Sequence, residues 1–101
     1  SLRSGGYPTP AQVTLSVSPN PFNPRCTIRF DCPEPAQVRL AVYTVTGQFV
    51  RELAAGHRDA GNFSEVWDGR DHSGAPVASG VYLVRLDAGS SRKLVRVVLS
   101  R

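Results

Sequence analysis

With 101 residues and a net charge of +4, the chain is long enough for one domain with a buried core, since folding at this size buries roughly 60–70% of the unfolded surface. Its hydrophobic content of 41% and charged content of 20% are typical of globular proteins, and no apolar run reaches the roughly 20 residues of a membrane-spanning helix. The basic residues, all Arg except Lys93, are spread along the chain. We interpret them as parts of solvated strand faces and predict no nucleic-acid partner.

The first eleven residues differ in composition from the rest of the chain. Residues 1–11 are rich in Ser, Gly, Pro and Thr, and the chain begins without Met or a signal peptide. We therefore expect a segment of a longer polypeptide, in which residues 1–11 are a linker from an upstream domain and residues 12–101 form the domain proper.

The domain is predicted to begin with a strand and a rigid loop. Val13, Leu15 and Val17 alternate with polar residues, which predicts a half-buried first strand. Three prolines in residues 19–24 then exclude a helix or a central strand, because each proline fixes φ and removes a hydrogen-bond donor. We expect Phe22, inside this loop, to close one end of the core.

Alternating apolar residues predict the next three strands. The second covers Cys26–Cys32, and the third covers residues 38–43. Gly47 indicates a hairpin turn with positive φ, after which residues 48–53 pair back as a short fourth strand. The polar, glycine-containing residues 54–61 predict a loop that carries the chain to a second sheet.

Three further strands complete the predicted fold. They cover residues 63–68, Gly80–Ala88 and residues 92–100, with turn-forming residues between them. Short strands with such regular turn signals predict an all-β fold, an immunoglobulin-like antiparallel β-sandwich of about seven strands.

The two cysteines are interpreted as small buried hydrophobic residues. Cys26 and Cys32 would lie about 20 Å apart on one strand at roughly 3.3 Å per residue, whereas a disulfide needs Cα atoms within about 7 Å. With only His57 and His72 elsewhere, their spacing does not fit a metal site. We therefore predict no disulfide between them, no metal and no cofactor.

Residues 68–74, DGRDHSG, suggest two kinds of chemistry that the spacing does not support. A calcium loop of the EF-hand type needs a Glu at its twelfth position, and neither aspartate of this stretch has one. Asp71, His72 and Ser73 are adjacent in one turn and cannot readily align as a hydrolytic triad. Asp side chains that cap their own turn explain the pattern better, so we predict no catalytic residue and no enzyme activity.

Three aromatic residues, Tyr43, Trp67 and Tyr82, allow two interpretations. If they faced solvent on one sheet, they would form a platform for sugar rings, as in a carbohydrate-binding appendage of a secreted hydrolase. Alternatively, Trp67 and Tyr82 belong to the core, as in many sandwiches where a large aromatic ring fills the space between the sheets. We favour the core interpretation.

Five motifs in a fixed order carry a family resemblance. They are PNPFNP (residues 19–24) followed by TIRF (27–30), then VRLAVYTVTGQFVREL (38–53), AGNFSEVWDGRDHSG (60–74) and VASGVYLVRLDAG (77–89). With them, residues 13–101 resemble the FlgD-like immunoglobulin-like domain, which is related to the flagellar hook-capping protein. Copies of that domain occur at the C-termini of large secreted or surface proteins of bacteria, overlapping the sorting domains of type IX secretion.

The resemblance implies a non-catalytic C-terminal accessory module of a larger exported bacterial protein, either secreted or at the cell surface. It would serve secretion sorting, surface attachment or structural spacing, with upstream domains of the same polypeptide and secretion or cell-surface machinery as partners. Hook-cap-like assembly is a further alternative. Recognition is expected at the last strand, whose edge could pair with a receptor sheet. The predicted partner-binding residues are Arg92, Lys93, Leu94, Val95, Arg96, Val97 and Val98.

Overall fold

Seven antiparallel strands form two packed sheets in the computed structural model, which describes residues 12–100. The strands are β1 (Thr14–Ser18), β2 (Cys26–Cys32), β3 (Ala36–Thr44), β4 (Phe49–Arg58), β5 (Gly61–Trp67), β6 (Gly80–Ala88) and β7 (Ser91–Leu99). One sheet has the order β1-β2-β5 and the other has the order β4-β3-β6-β7. The predicted all-β sandwich of about seven strands is confirmed. In residues 12–100 no helix could cross a membrane.

The core lies between the two sheets because apolar residues alternate along the strands. Along β2, for example, Ile28 and Phe30 are buried while Arg29 between them is exposed. Trp67, at the end of β5, has no exposed surface and packs between Phe22 and Tyr82, with ring centroids 5.4 Å away in each case. Phe22 is 1% exposed, so its predicted role at one end of the core is confirmed.

The predicted boundary of the fourth strand is wrong. β4 continues to Arg58, and its second half pairs with the first half of β3 where a loop over residues 54–61 was expected. Little in the sequence indicates burial at Ala54, Ala55 and Gly56, but their backbone pairs with β3 in the sheet. Gly56 adopts a φ of 115°, which other residues rarely adopt. The chain does cross to the other sheet here, through only two residues between β4 and β5.

The predicted linker at residues 1–11 lies outside the described residues, as does Arg101. The described part begins just before β1, and the first predicted strand is confirmed, with Val13 buried and Leu15 and Val17 half-buried.

Candidate functional site

β7 is an edge strand of the four-stranded sheet and holds all seven predicted partner-binding residues. Its alternation divides them between two faces. Three lie opposite the buried residues of β6, namely Lys93, Val95 and Val97. Four are exposed on the outer face, namely Arg92, Leu94, Arg96 and Val98. The strand therefore directs alternate side chains to the outer face. On the inner face, Lys93 near the start of the strand is still exposed, whereas Val97 is fully buried in the core.

The proline-rich loop covers one half of the free edge of β7. The Asn20 side chain accepts a hydrogen bond from the Val98 N–H and donates one to the Arg96 carbonyl, both at 3.0 Å. The Phe22 N–H donates to the Val98 carbonyl, and the Ser100 N–H donates to the Phe22 carbonyl, both at 2.9 Å. This part of the edge is thus closed by the chain itself.

The other half of the edge, from residue 92 to the N–H of Arg96, is open among the described residues. The N–H and C=O of one residue point to the same side of an antiparallel strand, and this side alternates along the chain. Because Val98 directs both groups to the edge, Leu94 and Arg92 do so too. No described strand pairs with β7 on that side.

The outer face of the four-stranded sheet is built around Tyr43 on β3. The Arg39 guanidinium donates to the Tyr43 hydroxyl at 2.5 Å and lies 5.6 Å from the centroid of the Phe49 ring. Arg85, from the neighbouring strand β6, lies 5.5 Å from the Tyr43 centroid. Such cation–π contacts keep the guanidinium groups close to the aromatic rings at a modest gain of about 0.5–1 kcal/mol each at exposed sites.

Asp87 on β6 is the acidic centre of this face. Its carboxylate accepts hydrogen bonds from Arg85 at 3.0 Å and from Arg92 at 2.8 Å. Partial burial opposes ionisation, but the bonds from Arg92 and Arg85 outweigh it and hold the pKa of Asp87 below its ordinary value. Because two guanidinium groups share one carboxylate, positive charge remains. Arg96 forms none of the ion pairs found within residues 12–100.

A shallow hollow of about 220 Å³ opens between this charged cluster and β7. It combines two guanidinium groups with aromatic and aliphatic surface, and Leu94 at its rim is 56% exposed. Its lining residues are Tyr43, Gly47, Leu83, Arg85, Arg92 and Leu94. The hollow can therefore accept a group that is partly apolar and partly anionic.

The proposed sugar platform of Tyr43, Trp67 and Tyr82 is wrong, because the three rings do not face solvent together. Trp67 is fully buried, and its indole N–H donates to the Arg70 carbonyl at 2.9 Å. Tyr82 is 8% exposed, and its hydroxyl donates to the Ala78 carbonyl at 2.5 Å. Only Tyr43 lies on an outer face, where arginines cover it. The core interpretation of Trp67 and Tyr82 is confirmed.

The turn at residues 68–74 is capped by its own side chains, as predicted. One carboxylate oxygen of Asp71 accepts hydrogen bonds from the Ser73 hydroxyl at 2.7 Å, the Ser73 N–H at 2.9 Å and the Ala75 N–H at 3.0 Å. The hydroxyl bond is the main reason that the pKa of Asp71 lies below its ordinary value. His72 turns away toward the Val50 carbonyl, so the three side chains form no triad. Residues 12–100 contain no group of three metal-ligating side chains.

Both cysteines are buried, in agreement with the prediction, and they lie at the two ends of β2 as free thiols. Burial raises the pKa of the Cys26 thiol to about 11, which suppresses the nucleophilic thiolate. Burial also raises the pKa of Cys32, and the neighbouring Asp31 carboxylate adds to that effect.

The sequence did not predict the contact of Tyr43 with Arg85. That contact depends on which strand lies next to β3 and in what register, since Tyr43 pairs with Leu83. The bonds of Asn20 to β7 were missed for the same reason, because they join residues more than 70 positions apart.

Comparison with known proteins agrees with this architecture. A family model for the FlgD Ig-like domain matches residues 23–92. The fold is similar to part of dimeric latent PorU from Porphyromonas gingivalis, with a TM-score of 0.70 and 17% identity, covering 86% of this chain and 9% of that one. At this identity the likeness shows the fold alone. No curated protein matches the chain.

Two further solved structures are closer in sequence. PorZ, a surface component of the type-IX secretion system of P. gingivalis, is 28% identical with a TM-score of 0.56, over 86% of this chain and 11% of that one. FlgD from P. aeruginosa is 25% identical with a TM-score of 0.58, over 73% of this chain and 57% of that one. The chain thus spans less than two thirds of each of these proteins. Since the family model covers most of its length, the chain belongs to the FlgD Ig-like domain family.

Proposed function

We propose that the chain is a non-catalytic accessory module of a larger exported bacterial protein, secreted or at the cell surface, and that its β7 strand is the element which secretion or surface machinery recognises. The observation that carries the proposal is an exposed, positively charged edge strand, held in place by core residues at its far end. Residues 1–11 would join the module to an upstream domain.

The similarity to PorZ supports the exported setting, since PorZ is a surface component of a secretion system. The form of β7 supports recognition. Val97 and Leu99 anchor the strand in the core, so Arg92, Leu94 and Arg96 are displayed on a rigid sheet. A partner that binds preorganised side chains loses little conformational entropy.

Removing the whole last strand is a poor test of this proposal. Deletion of residues 92–101 would also remove Val97 and Leu99, which are 0% and 1% exposed, and the domain would unfold. Loss of export would then report loss of folding. Substitution of the exposed residues alone avoids this problem.

The test is export of a reporter cargo that carries this chain at its C-terminus in a bacterium with a type IX system. We expect the triple variant Arg92→Ser, Leu94→Ser, Arg96→Ser to reduce the exported fraction while its thermal unfolding stays cooperative. The matched control is the triple variant Arg25→Ser, Arg29→Ser, Val66→Ser. It replaces two exposed arginines and one exposed valine that lie on or next to strands of the other sheet. Equal export of the two triple variants would refute recognition through β7.

A second candidate, assembly of the hook-cap type, is favoured by the similarity to FlgD. It requires the chain to associate with itself. Sizing-column chromatography over a wide range of protein concentration distinguishes the two, because only an assembly domain elutes earlier as its concentration rises.

A further inference from the structure

The open edge at residues 92–96 combines backbone groups that no described strand pairs with and a defined order of side chains on the outer face. We propose, resting on the proposed function of β7, that this edge docks an extended segment of a partner protein. The segment carries acidic residues at its first and fifth positions and an apolar residue at its third. It adds a fifth strand to the four-stranded sheet beside β7.

The backbone sets the place and the length of the docked strand. Arg92 and Leu94 direct their N–H and C=O groups to the edge, where no described strand meets them. From the Arg96 carbonyl onward, the groups that point to the edge are already taken by Asn20 and Phe22. The open stretch of five residues is close to the usual strand length of about 5–6 residues.

The side chains set the sequence of the docked strand. Residues directly opposite each other in a sheet point to the same face, and opposite charges there attract. Arg92, Leu94 and Arg96 all lie on the outer face. An incoming strand with an acid, an apolar residue and an acid at alternate positions matches them. Because the pattern is the same read from either end, both directions of the strand are compatible.

Positive charge on this face that is not neutralised within the described residues can attract two acidic residues of a partner. Arg92 shares the carboxylate of Asp87 with Arg85, so two guanidinium groups face one acid. Arg96 has no ion pair within the described residues. Between them, Leu94 is 56% exposed beside the hollow that Leu83 helps to line, which provides apolar surface for the central residue.

The same arrangement disfavours a second copy of this chain as the occupant. If two copies paired their β7 strands antiparallel about Leu94, Arg92 of each would lie opposite Arg96 of the other. Like charges directly opposite each other destabilise a strand pair. Charged edges of this kind are a common protection against self-association. The acidic partner is therefore favoured over the homodimer.

The experiment titrates the full chain, labelled with ¹⁵N, with two peptides that differ only in charge, STETLTETS and STKTLTKTS. We expect the acidic peptide to bind about tenfold more tightly than the basic one, since attraction replaces repulsion at two positions. Binding should shift the amide signals of residues 92–96 and slow hydrogen exchange at Leu94. Equal affinity, or no change at these amides with millimolar acidic peptide, overturns the proposal.

Variants locate the preference on β7. Arg96→Glu should abolish the preference for the acidic peptide. Arg29→Glu, with the same change in charge on an exposed residue of β2 in the other sheet, should keep it. If both variants reduce the preference for the acidic peptide equally, the preference depends only on the net charge of the chain, and the proposal is overturned. Protection of the Leu94 amide in a dimer formed without peptide also overturns it, because a second copy is then the occupant.

The peptide titration and the export assay test two different proposals, and each proposal can be wrong without the other. If the acidic peptide shows no preference while export still depends on Arg92, Leu94 and Arg96, strand docking is wrong and recognition of β7 stands. If the peptide binds as expected while export ignores these residues, the edge is a docking site and the proposed role in export is wrong.

Discussion

Asn20 bonds to Val98 as a neighbouring strand would. Its side-chain oxygen accepts from the Val98 N–H, and its side-chain nitrogen donates to the carbonyl two residues earlier, both at 3.0 Å. The side-chain amide thus makes the two hydrogen bonds that a peptide group of a paired strand would make. The open edge of β7 therefore ends at residue 96. The proline-rich loop is therefore both a cover for the core, through Phe22, and a cap on the sheet edge.

Replacement of Asn20 by Ala should lower the free energy of unfolding by about 1 kcal/mol, because two hydrogen bonds at a solvent-accessible edge are exchanged for bonds to water. Hydrogen exchange at the Val98 amide should become faster. Asn23→Ala is the matched control, since Asn23 is an exposed asparagine of the same loop. Urea unfolding and hydrogen exchange measure both effects, and an unchanged Val98 amide would contradict the capping role.

The single Trp67 provides a direct probe of the core. Trp67→Ala should lower the free energy of unfolding by about 3–5 kcal/mol, since it leaves a cavity beside Phe22 and Tyr82 and removes the bond to Arg70. In the unsubstituted chain, Trp67 fluorescence should be blue-shifted and resist quenching by acrylamide. The control Val66→Ala, at a residue that is 53% exposed, should change stability by no more than about 0.5 kcal/mol. Efficient quenching of Trp67 would contradict its burial.

The core was predictable from sequence because burial in a sandwich follows the period of two along each strand. Val13, Leu15 and Val17 were placed correctly on this ground, whereas Trp67 was assigned to the core by analogy with other sandwiches. The second half of β4 was not, because its alanines and glycine carry little burial signal and are held extended by pairing with β3. Local pattern shows which side chains are apolar, whereas the extent of a strand also depends on its neighbour.

The candidate site was predictable only in part for a related reason. Alternation assigns Arg92, Leu94 and Arg96 to one face, but it does not show that β7 is an edge strand. That follows from the order β4-β3-β6-β7, in which two adjacent strands are distant in sequence. The meeting of Arg85 with Tyr43 likewise depends on the pairing of β3 with β6.

The two cysteines should be unreactive in the folded chain. Burial raises the pKa of Cys26 to about 11 and raises that of Cys32, so both remain protonated thiols near neutral pH. Reaction with a disulfide reagent such as DTNB at pH 8 should be slow in buffer and rapid in denaturant, with both thiols released together. Fast reaction of either thiol in the native chain would contradict its burial.

Asp87 should make the stability of the sheet depend on acid. Despite partial burial, hydrogen bonds from Arg92 and Arg85 lower its folded pKa, so its contribution to stability is present above the unfolded carboxyl pKa of about 3.9 and is lost as the pH falls through the lower folded value. Asp87→Asn should therefore be less stable than the unsubstituted chain at neutral pH, and the difference should shrink below about pH 4. Urea unfolding at a series of pH values measures this convergence. The control Glu34→Gln, at an exposed residue, should follow the unsubstituted chain throughout. A difference between Asp87→Asn and the unsubstituted chain that stays constant as the pH falls would show that the carboxylate charge does not contribute, and that the side chain acts through packing alone.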